Sequence, residues 1–134
     1  MNKKITIYTS KTCGYCNVIK QSLEDSYIQF TEVDTTEYKD VWDGVKNLTS
    51  IPATPTIEIN NEFLLPGRDF TSAENLVDLI LNFKESTYDE SRRTLELIKT
   101  LNYNTFTAFG RLSAVLQQIE NKLNKEKHEH KSNN

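Results

Sequence analysis

Two cysteines three residues apart, Cys13 and Cys16, lie between a short apolar run, Lys4-Ile5-Thr6-Ile7-Tyr8-Thr9, and a helical pattern that begins near residue 14. They are the only cysteines in the chain. At a strand-to-helix turn, two thiols with this spacing can close and open a disulfide without moving the rest of the protein. The pair therefore demands a fold that begins with a β–α unit and carries the sulfurs at its turn.

The pattern that follows keeps alternating. A strand at about 4–9 precedes a helix at about 14–26 with Val18, Ile19 and Leu23 on one face. Residues 29–34 alternate as a strand does, and Thr35 or Thr36 is placed to cap a helix over 37–48 that carries Val41, Trp42, Val45 and Leu48. Thr56–Ile59 and Glu62–Leu65 flank Asn60-Asn61, a two-residue hairpin signal. Thr71-Ser72-Ala73-Glu74 resembles a capping box opening a helix to about 85, with Leu76, Leu79, Ile80 and Phe83 as its stripe. The order βαβαββα predicts an α/β fold: a four-stranded mixed sheet flanked by helices, its first crossover parallel and its hairpin antiparallel.

A length of 134 residues fits one such domain with an appendage. All three prolines and three of the four glycines lie before residue 68. Residues 1–86 carry a charge of −5 and residues 87–134 a charge of +2. The chain thus reads as an acidic domain over 1–86 and a basic helical extension over 87–134, joined near Lys84–Asp89. The net charge of −3 implies no strong attraction to nucleic acid or to an anionic membrane. No apolar run approaches the roughly 20 residues of a membrane helix, and Thr6, Thr9 and Ser10 interrupt any N-terminal signal segment. The expected location is cytoplasmic, where a structural disulfide is rare and a CxxC pair is a tool rather than a staple.

The attacking species in disulfide exchange is the thiolate, and an ordinary cysteine with a pKa of about 8.5 is only about 3% ionised at pH 7. Cys13 sits at the first turn of its helix, where unpaired N–H groups and the positive dipole end favour an anion. Lys11 adds a nearby positive charge. Cys16 falls one turn deeper and is expected to be buried and neutral. Position thus divides the roles: Cys13 is the nucleophile and Cys16 the resolving thiol. Lowering the Cys13 pKa raises the thiolate fraction but reduces intrinsic nucleophilicity with a Brønsted slope of about 0.4–0.5, so the lasting gain is a better leaving group.

Three motifs in order make residues 3–86 similar to glutaredoxins: Lys11-Thr12-Cys13-Gly14-Tyr15-Cys16, Thr54-Pro55 and Pro66-Gly67-Arg68-Asp69. The resemblance implies a thioredoxin-like fold, a cis-proline at Pro55 facing the thiols, and glutathione as co-substrate bound across Lys11, Tyr15, Thr54, Pro55, Gly67 and Asp69. It places Thr54 against the cysteinyl group of glutathione. The Pro66–Asp69 turn would hold the γ-glutamyl end, with Asp69, expected to open the last helix, accepting its amino group. Arg68 meets a carboxylate or is a solvated surface residue. The implied activity is reduction of protein disulfides and glutathione mixed disulfides. Pro66 stands where the family commonly has glycine, removing one N–H donor and fixing φ. Thr54 stands where valine is common, and Gly14 where proline is common. Two rival readings follow from these departures: a thioredoxin-like donor reduced by a flavoprotein reductase, and a carrier of a glutathione-ligated iron–sulfur cluster. His128 and His130 lie far along the chain from the thiols, so no metal site is read there.

The resemblance does not extend over 87–134. Leu95 and Ile98 share one helical face, and Phe109, Leu112, Leu116, Ile119 and Leu123 step by 3, 4, 3 and 4. This stripe has three readings: a helical hairpin folded back on the domain, self-association through residues 95–123, or docking on another protein. Beyond Asn124 the charged tail is expected to fray.

Overall fold

Side-chain alternation along the first strand sets the layering. Ile5 and Ile7 join one core cluster and Tyr8 the other. The computed structural model describes residues 3–85 and 92–132. Its elements are β1 (Ile5–Thr9), α1 (Gly14–Asp25), β2 (Thr31–Asp34), α2 (Lys39–Thr49), β3 (Thr56–Ile59), β4 (Glu62–Leu64), α3 (Ala73–Leu81) and α4 (Arg92–Ser132). The strands form one sheet in the order β2-β1-β3-β4. β1 pairs parallel with β2, with Ile7 opposite Glu32, and antiparallel with β3, with Ile7 opposite Ile57. β3 and β4 form the expected hairpin, with Glu58 opposite Phe63. Both turn residues, Asn60 and Asn61, have positive φ (46° and 72°), the backbone a primed hairpin turn requires and asparagine tolerates. The four-stranded mixed α/β sheet predicted from the pattern is the one observed, and with it the thioredoxin-like fold that the resemblance implied.

The two faces of the sheet carry separate cores. Ile5, Ile7, Ile57 and Ile59 meet Ile19 and Leu23 of α1 and Leu76 and Ile80 of α3. On the other side Tyr8, Phe63 and Leu65 meet Trp42 and Val45 of α2. Each aliphatic side chain buried in this way stabilises the fold by about 1.5–3 kcal/mol.

Several local expectations are corrected. Neither Thr35 nor Thr36 caps α2, whose N-cap is Tyr38 with no side-chain bond. Asp34 takes the turn instead, its Oδ1 accepting from Thr36 N and Glu37 N. α3 starts at Ala73 with Ser72 as N-cap, its hydroxyl accepting from Asn75 N, and Asn75 Oδ1 accepts from Thr71 N in return. The capping box is therefore shifted by one residue, and Asp69 does not open this helix. α3 also stops at Leu81 rather than near residue 85. The extension is one continuous helix, not a hairpin, and runs to Ser132 instead of fraying after Asn124. Lys and Glu are good helix formers, and His130 and Lys131 suit the negative end of the dipole.

The expected join near Lys84–Asp89, with its boundary at 86/87, falls mostly on residues outside those described. By internal contacts the chain divides into Met1–Thr100 and Leu101–Asn134. The first unit therefore takes in the opening turns of α4. Glu96 there is fully buried, and Thr100 donates from Oγ1 to Thr49 O at 2.6 Å, capping the end of α2. In the second unit, Phe106, Phe109, Leu112, Leu116, Ile119 and Leu123 are exposed along the helix. No helix among the described residues is long and apolar enough to cross a membrane.

Two predictions follow from these contacts. Ending the chain after Gly110 should leave the thermal midpoint of the first unit nearly unchanged. Ending it after Ser91 removes Glu96 and Thr100 from Arg68, at a cost of at most about 3–5 kcal/mol in urea denaturation, because the guanidinium is uncovered as its partners are lost. The second concerns Glu32, whose carboxylate accepts from Lys20 Nζ at 2.9 Å and Thr9 Oγ1 at 2.8 Å and is held below its ordinary range by those bonds. A depressed carboxylate stabilises above its unfolded pKa and loses that contribution as pH falls through the folded value. Glu32→Gln should therefore destabilise at pH 7 by at most about 1 kcal/mol, because the pair is partly exposed, and should be neutral near pH 2.

Candidate active site

Cys13 is the N-cap of α1, with φ −90° and ψ 95°. An N-cap side chain faces the unpaired N–H groups of the first turn. Here the Cys13 sulfur accepts from Cys16 N at 3.1 Å. The backbone of Cys13 is anchored from the other side, its N–H donating to Ser10 O. Cys13 is half-buried, whereas Cys16 is only 1% exposed. The two are joined as a disulfide across a Cα–Cα distance of 5.3 Å. The difference in burial expected between the two cysteines is thus present.

The loop before β3 closes over the pair. The Thr54–Pro55 peptide is cis, as the resemblance implied, and Pro55 is buried. Thr56 Oγ1 donates to Ala53 O at 2.6 Å, and Thr54 O lies 3.6 Å from Cys13 Sγ. Lys11 and Tyr15 are exposed. The Lys11 charge acts on Asp34, whose carboxyl is held below its ordinary range first by the Glu37 and Thr36 N–H groups and further by Lys11. A β-carbon at Gly14 would meet nothing within 4 Å, so space does not require glycine between the cysteines. Gly67 differs: its φ of 83° is one that side chains rarely adopt.

The Pro66–Asp69 turn is bonded inward. Gly67 N donates to Phe70 O at 2.9 Å and Asp69 N to Leu65 O at 2.9 Å. Leu65 N in turn donates to Asp69 Oδ2 at 2.8 Å. Arg68 is the clear correction to a surface reading, because its side chain is 1% exposed. Nε donates to Asp69 Oδ2, and Nη2 donates to Phe63 O and to Glu96 Oε2 at 2.6 Å. Nη1 donates to Thr100 Oγ1. Arg68 does meet carboxylates, but they belong to its own chain.

Glu96, Lys99 and Thr100 escaped the sequence reading. Glu96 Oε1 accepts from Phe63 N at 2.9 Å, and Lys99 Nζ donates to Phe63 O at 2.7 Å. The visible signal was polar: Arg92, Glu96 and Thr100 recur at four-residue steps, with Lys99 three residues after Glu96. Beside them, Arg92 pairs with Glu58 at 2.6 Å and lies 4.6 Å over the Phe63 ring. Glu58 also accepts from the Tyr8 hydroxyl, which burial and that bond push above its ordinary range.

The structure brings Cys13, Cys16 and Thr54 together and sets Gly67 and Asp69 on the turn after β4. Such an arrangement can exchange a disulfide at Cys13 and resolve it with Cys16. Residues 5–64 match the model of the Glutaredoxin family. Among solved structures, the chain is similar to the thioredoxin-like protein BC3987, at 24% identity and a TM-score of 0.48, and to a point mutant of it, at 22% and 0.49. Each likeness covers 57% of this chain and 99% of the other. No curated protein matches the chain.

After reduction, the Cys16 N–H that faces the Cys13 sulfur should hold the Cys13 thiol below the ordinary cysteine range. Iodoacetamide should therefore alkylate Cys13 at neutral pH and below, and Cys16 only after unfolding. Equal labelling of the two by mass spectrometry would sink the assignment of roles.

Proposed function

We propose that this chain, whose residues 5–64 form a glutaredoxin-type module, is a thiol–disulfide oxidoreductase that reduces protein disulfides and glutathione mixed disulfides, with glutathione as its reductant. The observation that carries the reading is the order of a half-buried Cys13 before a buried Cys16 at a helix N-terminus beside Thr54-Pro55.

The reduced Cys13 thiolate attacks one sulfur of a substrate disulfide. The substrate S–S bond breaks, a Cys13–substrate disulfide forms, and the departing thiolate takes up a proton. Cys16 then gives up its proton and attacks the Cys13 sulfur, releasing the second substrate thiol and leaving the Cys13–Cys16 disulfide. Two electrons have passed to the substrate. Two glutathione molecules restore the dithiol: the first opens the disulfide and stays on Cys13 as a mixed disulfide, and the second removes it as oxidised glutathione. Lys11, Tyr15 and the Thr54–Pro55 loop line the approach to Cys13.

A second reading, reduction by a flavoprotein reductase, is favoured by one observation: the Gly67 and Asp69 N–H groups are already bonded within the turn. Parallel assays with glutathione plus its reductase and with thioredoxin reductase separate the two. Cys16→Ser should keep removal of glutathione from mixed disulfides while reduction of protein disulfides falls at least tenfold, since only the latter needs the second thiol. Cys13→Ser should abolish both, and measurable turnover there would overturn the proposal.

A further inference from the structure

We infer that Glu96 is a specificity-determining residue, holding the Pro66–Asp69 turn closed against the charged γ-glutamyl end of glutathione so that Cys13 favours disulfides of proteins. The inference rests on the reading of this chain as a thiol–disulfide oxidoreductase.

The turn has few groups left to offer. Pro66 has no N–H, and those of Gly67 and Asp69 donate to Phe70 O and Leu65 O. An α-amino acid terminus needs a cation or free N–H groups for its carboxylate and an acceptor for its ammonium. Arg68, the cation on the turn, is spent on Asp69, Glu96, Phe63 O and Thr100 Oγ1. Lys99 is spent on Phe63 O, with Glu96 Oε1 at 3.4 Å and Asp69 Oδ1 at 4.0 Å. Asp69, the acceptor, has Oδ2 engaged by Leu65 N and Arg68 Nε, and its side chain is only 13% exposed. Arg68, Lys99, Glu96 and Asp69 balance to zero charge.

Glu96 comes from α4 and is the negative charge that completes this balance. It plays the part that an incoming carboxylate would otherwise play toward Arg68. A protein disulfide needs none of these groups, because it can reach the half-buried Cys13 along the Thr54 side.

Glu96→Gln is the test. The glutamine keeps an acceptor for Phe63 N–H but leaves Arg68, Lys99 and Asp69 with one positive charge in excess. The KM for glutathione should fall about tenfold, the equivalent of one charge-assisted hydrogen bond, while dithiothreitol-driven reduction of a protein disulfide stays unchanged. An unchanged KM, or an equal loss in both assays, would overturn the inference. Should this variant not fold, the full wild-type chain decides. With the unreactive probe S-methylglutathione added to oxidised protein, amide NMR signals of Lys11, Tyr15 and Thr54 should move and those of Gly67 to Asp69 should not. Movement of the turn amides at saturation would refute the closed turn. A wild type inactive even with dithiothreitol would end the oxidoreductase reading, and the NMR titration would still judge the turn.

Discussion

The Arg68–Glu96 ion pair ties together β4, the turn that follows it and the first turns of α4. Both side chains are withdrawn from water, 1% and 0% exposed. Charges so placed must be paired and fully hydrogen-bonded, because loss of one partner leaves the other stranded at a cost of several kcal/mol. The surroundings meet that demand with Phe63, Thr100, Asp69 and Lys99. An apolar pair of similar volume could stabilise the site as well. What the ion pair adds is placement. It joins β4, the turn after it and the start of α4, so the geometry beside the sheet depends on residues far along the chain.

Much of the fold was legible because local and global signals agree. Asn60-Asn61 announced a hairpin, and both residues take the positive φ it needs. Ile19 and Leu23 of α1 and Leu76 and Ile80 of α3 face the core as their spacing required, whereas Val18, read onto the same face, is exposed. The CxxC pair fixed the strand-to-helix turn, and Thr54-Pro55 fell beside it. Agreement of this kind across levels is what a foldable sequence looks like.

The contacts missed around the start of α4 share one physical origin. Sequence periodicity weighs apolar residues, whereas the face of α4 that packs on the domain is polar. Leu95 and Ile98 drew notice while Glu96 and Thr100, which are buried, did not. For Arg68 a surface position stayed open beside a carboxylate partner, because arginine is seldom buried without one and Glu96 lies 28 residues away. The length of α4 was missed for a different reason: a hairpin needs a turn signal, and Gly110 alone does not break a helix rich in strong helix formers.

The side chains along β4 also bear on association. An edge strand presents unpaired N–H and C=O groups on which another strand can grow. At Phe63, the middle of this three-residue strand, both groups are already taken, the N–H by Glu96 and the C=O by Lys99 and Arg68. A foreign strand arriving there would have to displace three buried or half-buried charges before forming its first ladder bond. Growth of the sheet by strand addition is closed on that side by helix side chains rather than by a covering strand. The opposite edge, β2, is four residues long and ends in Glu32-Val33-Asp34, where charge and brevity serve the same end.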